Sequence, residues 1–171
     1  MLNITARDID HILDKAKASM YDNYHECLAQ AQMASTHAQT NGDIRRYALA
    51  LRYMAWAYYT LLDYEAALSV AMEGILLARD FELLDLEAYL INTIANVYTR
   101  CGIHKEAEHL YEYQISIGHQ LNDPLIQAIA LNDYAAQKIM LGEYFAAHEY
   151  LEEAAQLLPN MDYKGATIRQ N

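Results

Sequence analysis

The sequence predicts an all-α fold: a solenoid of about four helical hairpins stacked side by side. Three observations carry that prediction. The first is composition: 54% of the residues are hydrophobic, but only 2 are Pro and 6 are Gly. Text rich in Ala, Leu, Glu and Gln favours helix, and the scarcity of Val argues against a sheet-rich fold. The second is repetition. Ile94-Ala95-Asn96-Val97-Tyr98 stands 40 residues after Met54-Ala55-Trp56-Ala57-Tyr58 (94 − 54). Leu141-Gly142-Glu143-Tyr144 stands 40 after Cys101-Gly102-Ile103-His104 (141 − 101). The third is apolar spacing. Leu51, Met54, Ala55 and Tyr58 are separated by steps of 3, 1 and 3, which place one stripe on a helix.

Each element can be justified in order. Thr5-Ala6-Arg7-Asp8 caps a first helix with Ile9, Ile12, Leu13, Ala16 and Met20 on its buried side. Asn23-Tyr24-His25-Glu26 reads as a capping box opening a second helix through Cys27, Leu28, Ala31 and Ala34. Asn41-Gly42 stops it. A third helix starts at Asp43 or Ile44 and ends at about Leu61. Asp63 caps a fourth, from about Tyr64 to Arg79, with Ala67, Leu68, Ala71, Ile75 and Ala78 on one side. Asp80-Phe81-Glu82 has neither Gly nor Pro, so the boundary there is expected to be soft. The fifth helix holds Leu86, Leu90, Ile91, Ile94, Ala95 and Tyr98, and Cys101-Gly102-Ile103 breaks it. The sixth runs from about Lys105 to Gln120. Asp123 and Pro124 form the sharpest boundary, a cap followed by Pro at the first helical position. The seventh carries Ile126, Ile129, Ala130, Leu131, Tyr134 and Ala135, and the eighth Tyr144, Ala147, Leu151, Ala154 and Leu158, with Pro159 closing it.

The copies share more than length. Cys27, Ala67, Ala107 and Ala147 form one series, and Tyr24, Tyr64, His104 and Tyr144 another. Ala55…Tyr58…Asp63-Tyr64…Ala67, Ala95…Tyr98…Gly102…Ala107…Tyr111 and Gly142-Glu143-Tyr144…Ala147…Ala154…Pro159 are the best-matched pieces. In these residues the chain resembles the tetratricopeptide repeat (TPR) family, over nearly its whole length. The resemblance implies a right-handed superhelical solenoid. Repeats are expected at about 5–41, 43–80, 83–121 and 123–159 within a domain spanning 1–160, with 161–171 opening a further copy or forming a tail. A TPR copy has about 34 residues, so the surplus here is expected to lengthen the helices away from the turn. Departures are Leu62 and Asp22 in place of the turn Gly, Lys138 in place of a Tyr, and Gln114 in place of a small packing residue.

Charge and cysteine usage narrow the function classes. The net charge of −11 and the lack of a basic stripe argue against direct nucleic-acid binding. Arg45, Arg46 and Arg52 are too few for one, and read as a solvated helix start. Cys27 and Cys101 lack metal-binding spacing and read as buried thiols in a reducing, cytoplasmic compartment. Met1-Leu2-Asn3-Ile4 runs into charged residues rather than a signal peptide, and no run approaches the ~20 apolar residues of a membrane span. The histidines do not converge, His148 sits on an acidic helix surface, and no nucleophile has a base and acid at recognisable spacing. No catalytic residue, metal or cofactor is therefore expected.

In the TPR family the first helix of each pair lines a concave groove that takes peptides or partner helices. By that resemblance the candidate contacts are Arg52, Trp56, Tyr59, Tyr89, Asn92, Asn96, Arg100 and Asn132. Asn92 and Asn96 are four apart, hence on one face, and Asn132 lies 40 after Asn92 (132 − 92). An Asn amide both donates and accepts, so it can pair with a peptide backbone. Trp56, Tyr59 and Tyr89 offer flat apolar contact, and Arg52 and Arg100 can grip a carboxylate. The equally weighted alternative is that the amides bond to each other. Tyr47, Tyr53, Tyr89, Tyr113 and Tyr150 have no repeat-packing place and are expected to be partly exposed. The expected function is a non-catalytic protein- or peptide-binding scaffold, the N-terminal sensory or regulatory part of a longer bacterial signalling protein. The alternative is homo-oligomerisation through an uncapped repeat end or a Tyr-rich edge.

Overall fold

The 40-residue period of the text resolves into a finer one in the fold. The computed structural model describes residues 4–158, and the described residues form eight α-helices and no strand. These are α1 (Ala6–Ala18), α2 (Tyr24–Thr40), α3 (Ile44–Thr60), α4 (Tyr64–Asp80), α5 (Leu84–Arg100), α6 (His104–Leu121), α7 (Pro124–Met140) and α8 (Tyr144–Leu157). From α2 onward each helix starts 20 residues after the last (44 − 24). One text period is thus two helices of equal register, and the length beyond a short hairpin has gone into helix rather than loop. Pro159 and residues 161–171 lie outside the described residues.

The turns set this step. Gly42, Leu62, Glu82, Gly102, Asn122 and Gly142 all have positive φ, between 51° and 78°. In each of these six turns the next residue donates its backbone N–H five residues back: Asp43 to Ala38, Asp63 to Tyr58, Leu83 to Ala78, Ile103 to Tyr98, Asp123 to Gly118 and Glu143 to Lys138, all at 2.8–2.9 Å. This left-handed closure satisfies the last helical carbonyls. Its geometry is kept where no Gly is present. The boundary at Asp80–Glu82, expected to be soft, is therefore as sharp as the others. The α1–α2 connection differs: Asn23 N–H bonds the Ser19 carbonyl at 3.0 Å, and Asp22 is not left-handed.

Caps at the helix starts follow the text with one correction. Thr5 and Asp8 form a complete capping box, and the bond from Thr5 holds the Asp8 carboxyl below its usual range. Asp43, Asp63 and Asp123 each accept from a backbone N–H of the first turn. Asn23 accepts from the Glu26 N–H, but the reciprocal half of the box is not made. The Glu26 carboxylate instead accepts from Gln30 Nε2 at 2.6 Å.

The described residues fall into two compact units that meet within α5, one ending at Val97 and the other starting at Tyr98. In the first, Ile9, Leu13, Ala16, Cys27, Ala31, Ala34, Ala38, Ala50, Tyr53 and Ala57 make a buried cluster. Small residues let the helices approach. A Cβ added to Gly74 would stand 2.8 Å from Leu90 Cδ1. Arg46 fastens α3 to α1 through two 2.7 Å bonds to Asp10, and Arg45 reaches Asp85 on α5. These two arginines are therefore paired rather than merely solvated. In the second unit, Tyr111, Tyr134 and Tyr150 stack in series with centroids 5.5 and 4.5 Å apart. Lys138 stands over Tyr134 and bonds Glu108 at 2.6 Å and Glu143 at 2.9 Å. Burial lowers its pKa, but the two carboxylates outweigh that and raise it. A lysine at the expected Tyr position thus serves as an ionic tie.

Two burial expectations need correction. Cys101 is exposed, because it lies in the turn itself, whereas Cys27 is buried and its pKa is pushed up to about 11 by burial. Tyr53 belongs to the core, while Tyr47 is half-buried and donates to Glu73.

The turn geometry predicts that Leu62→Gly raises stability by about 1 kcal/mol and that Gly102→Ala lowers it by about 1 kcal/mol, read by urea denaturation. Both effects come from the left-handed backbone, since an added Cβ on Gly102 meets nothing within 4 Å. In the native protein at about pH 8, a thiol reagent should label Cys101 alone; Cys27 should react only on unfolding. Rapid native labelling of both thiols would contradict the burial of Cys27.

Candidate functional site

Helix spacing puts Arg52, Trp56 and Tyr59 on one side of α3, in steps of 4 and 3. In the first unit these residues join a series of aromatic rings. Tyr21 meets Trp56 edge-on at 6.1 Å, Trp56 lies 5.5 Å from Tyr59, and Tyr59 stacks on Tyr64 at 6.1 Å. Trp56 Nε1 donates to the Met20 carbonyl at 3.1 Å, which fixes the indole. Trp56, Tyr59 and Tyr64 are half-buried and Tyr21 is exposed, so the rings are anchored from behind and present flat apolar surface.

Arg52 completes the patch. Its Cζ lies 3.5 Å from the Tyr89 ring centroid, a cation–π contact worth about 1 kcal/mol. Arg46 is held by Asp10 and Asp43, which raise its pKa, with Asp10 first; in return Arg46 lowers that of Asp10. Arg45 is held by Asp85. Among the described residues no carboxylate pairs with Arg52. Stacking orients the guanidinium while leaving the planar N–H fork available for an anionic group.

The amide candidates have a different fate. Asn92 and Asn96 are buried, and Asn96 Nδ2 donates to Asn92 Oδ1 at 3.2 Å. This bond is the mutual pairing that the sequence offered as the alternative to a groove contact. Asn132 lies in the second unit, half-buried, with Nδ2 3.4 Å from Asp133 Oδ1. Arg100 is exposed in the last turn of α5, where a cation meets the negative end of the helix dipole. Tyr21 and Tyr64 were not among the sequence candidates. Tyr64 reads as a packing residue in the repeat. Tyr21 has Leu61, Cys101 and Leu141 as its counterparts at 40-residue steps, and that departure was the available signal.

Among the described residues no group of three His, Cys, Asp or Glu side chains is placed to share a metal ion, and no helix is long and apolar enough to cross a membrane. The chain matches no protein-family model and no curated protein. The fold by itself puts the protein in the class of all-α helical-repeat proteins.

Because the Asn92–Asn96 bond is buried, Asn96→Ala should destabilise the protein by about 1–3 kcal/mol in urea titrations. A neutral substitution would instead mean that the amide is available to an outside ligand.

Proposed function

We propose that the chain is a non-catalytic protein-binding scaffold of the TPR kind, serving as a cytoplasmic regulatory part of a bacterial-type signalling protein. Its recognition surface in the first unit is Arg52, Trp56, Tyr59 and Tyr89. The observation that supports this best is the combination of anchored, half-buried rings with an arginine that is stacked but has no carboxylate among the described residues. Aromatic and Arg side chains are the groups that contribute most at protein contacts. The rings are held by helices, so little side-chain entropy is lost on binding. An extended segment with an apolar side chain against Trp56 and Tyr59, and an acidic group or terminal carboxylate on Arg52, fits this chemistry. Arg100 and Asn132 are candidate contacts of the second unit. The free, exposed Cys101 supports a reducing setting.

The single Trp of the chain is at this surface and reports on it directly. Peptides selected from a random library against the full chain should shift Trp56 emission on binding. Arg52→Glu should weaken the same peptides at least about tenfold while leaving the thermal melt close to that of the parent. Selected peptides that bind without disturbing Trp56, or that ignore Arg52→Glu, would rule this surface out.

A further inference from the structure

The α3 surface sets a spacing for the segment that it takes. Arg52 and Trp56 stand one turn apart on α3, about 6 Å along the axis for four residues. Both side chains lean the same way along the helix, so the offset is kept at their ends. Tyr59 follows three residues further on. Rings from neighbouring elements bound this strip on either side. Tyr21 meets Trp56 at 6.1 Å from the α1–α2 connection, and the Tyr89 ring of α5 has its centroid 3.5 Å from Arg52 Cζ. The connection that carries Tyr21 has five residues (19–23), against three (41–43) between α2 and α3. Its Met20 carbonyl accepts from the indole N–H at 3.1 Å. Arg45 and Arg46, nearer the start of α3, are already paired with Asp85, Asp10 and Asp43, and do not compete for an incoming anion.

The width of the strip selects an extended ligand. A helix with its side chains is about 10–12 Å across and overhangs the flanking rings. An extended segment takes up only about 5 Å beside its neighbours. Its residues rise about 3.3 Å each and alternate between two faces. Adjacent residues therefore point opposite ways. Residues two apart share a face about 6.6 Å apart, close to the step from Arg52 to Trp56. Residues four apart share it too, but at about 13 Å they overshoot. A side-chain carboxylate leaves the segment on the same face as the apolar side chain, whereas a terminal carboxylate points along the backbone. We propose that the α3 surface recognises an extended partner segment in which Asp or Glu stands two positions from a large apolar residue. The carboxylate meets the planar fork of Arg52, and the apolar side chain lies against Trp56 and Tyr59. The residue between them faces away and is unconstrained, and the spacing is the same for either chain direction. This inference rests on the reading of the α3 surface as a protein-binding site and names the segment it takes.

The probes are Trp-free peptides of about eight residues in a Pro-containing polar host that favours extended backbone. Both ends are blocked, so that a single Glu supplies the only carboxylate. A single Phe stands one, two, three or four positions from it. Binding to the full chain is read from the emission of Trp56, its one Trp. The peptide with a step of two should bind at least about tenfold more tightly than the other three. Arg52→Glu, checked by its thermal melt, should erase that preference. A peptide with Lys in place of Glu at the same step should bind Arg52→Glu and not the parent chain. Equal binding at every step, with the dependence on Arg52 kept, overturns the spacing and leaves the α3 surface standing. Tightest binding at a step of three or four makes the ligand a helix and overturns the proposal. Binding that requires a free carboxyl terminus instead of the Glu has the same consequence. If none of the four peptides shifts Trp56 while peptides selected from a random library do, the spacing alone is overturned. If neither set does, the surface is overturned with it.

Discussion

The rest of the structure depends on one constraint, the left-handed turn residue that recurs every 20 positions. It ends each helix from α2 to α7 with the same two backbone bonds, so the chain re-enters the next helix at the same phase. Equal phase is what lets a small residue on one helix meet its neighbour at the same height in copy after copy. Cys27, Ala67, Ala107 and Ala147 are buried for this reason. The constraint is backbone geometry rather than glycine chemistry. Leu62, Glu82 and Asn122 accept the strained conformation because two tied carbonyls and the packing of two helices outweigh a cost of about 1–2 kcal/mol.

Regular packing makes the irregular residues informative. Arg45 and Arg46 are consumed by carboxylates on neighbouring helices, and Lys138 is consumed by Glu108 and Glu143. Arg52 sits instead on an aromatic ring. The amides behave in the opposite way. Buried among helices, Asn92 and Asn96 are joined by a side-chain bond, because an unpaired amide there would cost more than the bond is worth in water. Two polar residue types offered by the same sequence pattern thus divide into scaffold and surface. The division follows from length. A long Arg side chain can carry its charge out to the surface, whereas a short Asn amide stays at the depth of its helix.

The repeat positions of α8 differ in exposure from those of the earlier helices. In the first three pairs the helix that follows hides the apolar series, and on α8 that series opens to the surrounding solvent in the described residues. Other large apolar side chains are exposed as well, among them Met72 and Leu76 on α4.

The amino-acid sequence by itself determined the all-α class, the positions of the turns other than the one at Asp80–Glu82, the caps at Thr5, Asp63 and Asp123, and the buried small-residue series. Each of these is local or periodic, so spacing and residue type are enough. Only the tertiary structure decided that the true step is one helix rather than a pair, because the two helices of a copy share backbone geometry but little text. It alone decided the burial of Tyr53 and the Asn pair, the exposure of Cys101, and the joining of Tyr21 to Trp56, Tyr59 and Tyr64. Those depend on which side chains from distant segments meet, and a helical stripe states which face is inward without stating what it will find there.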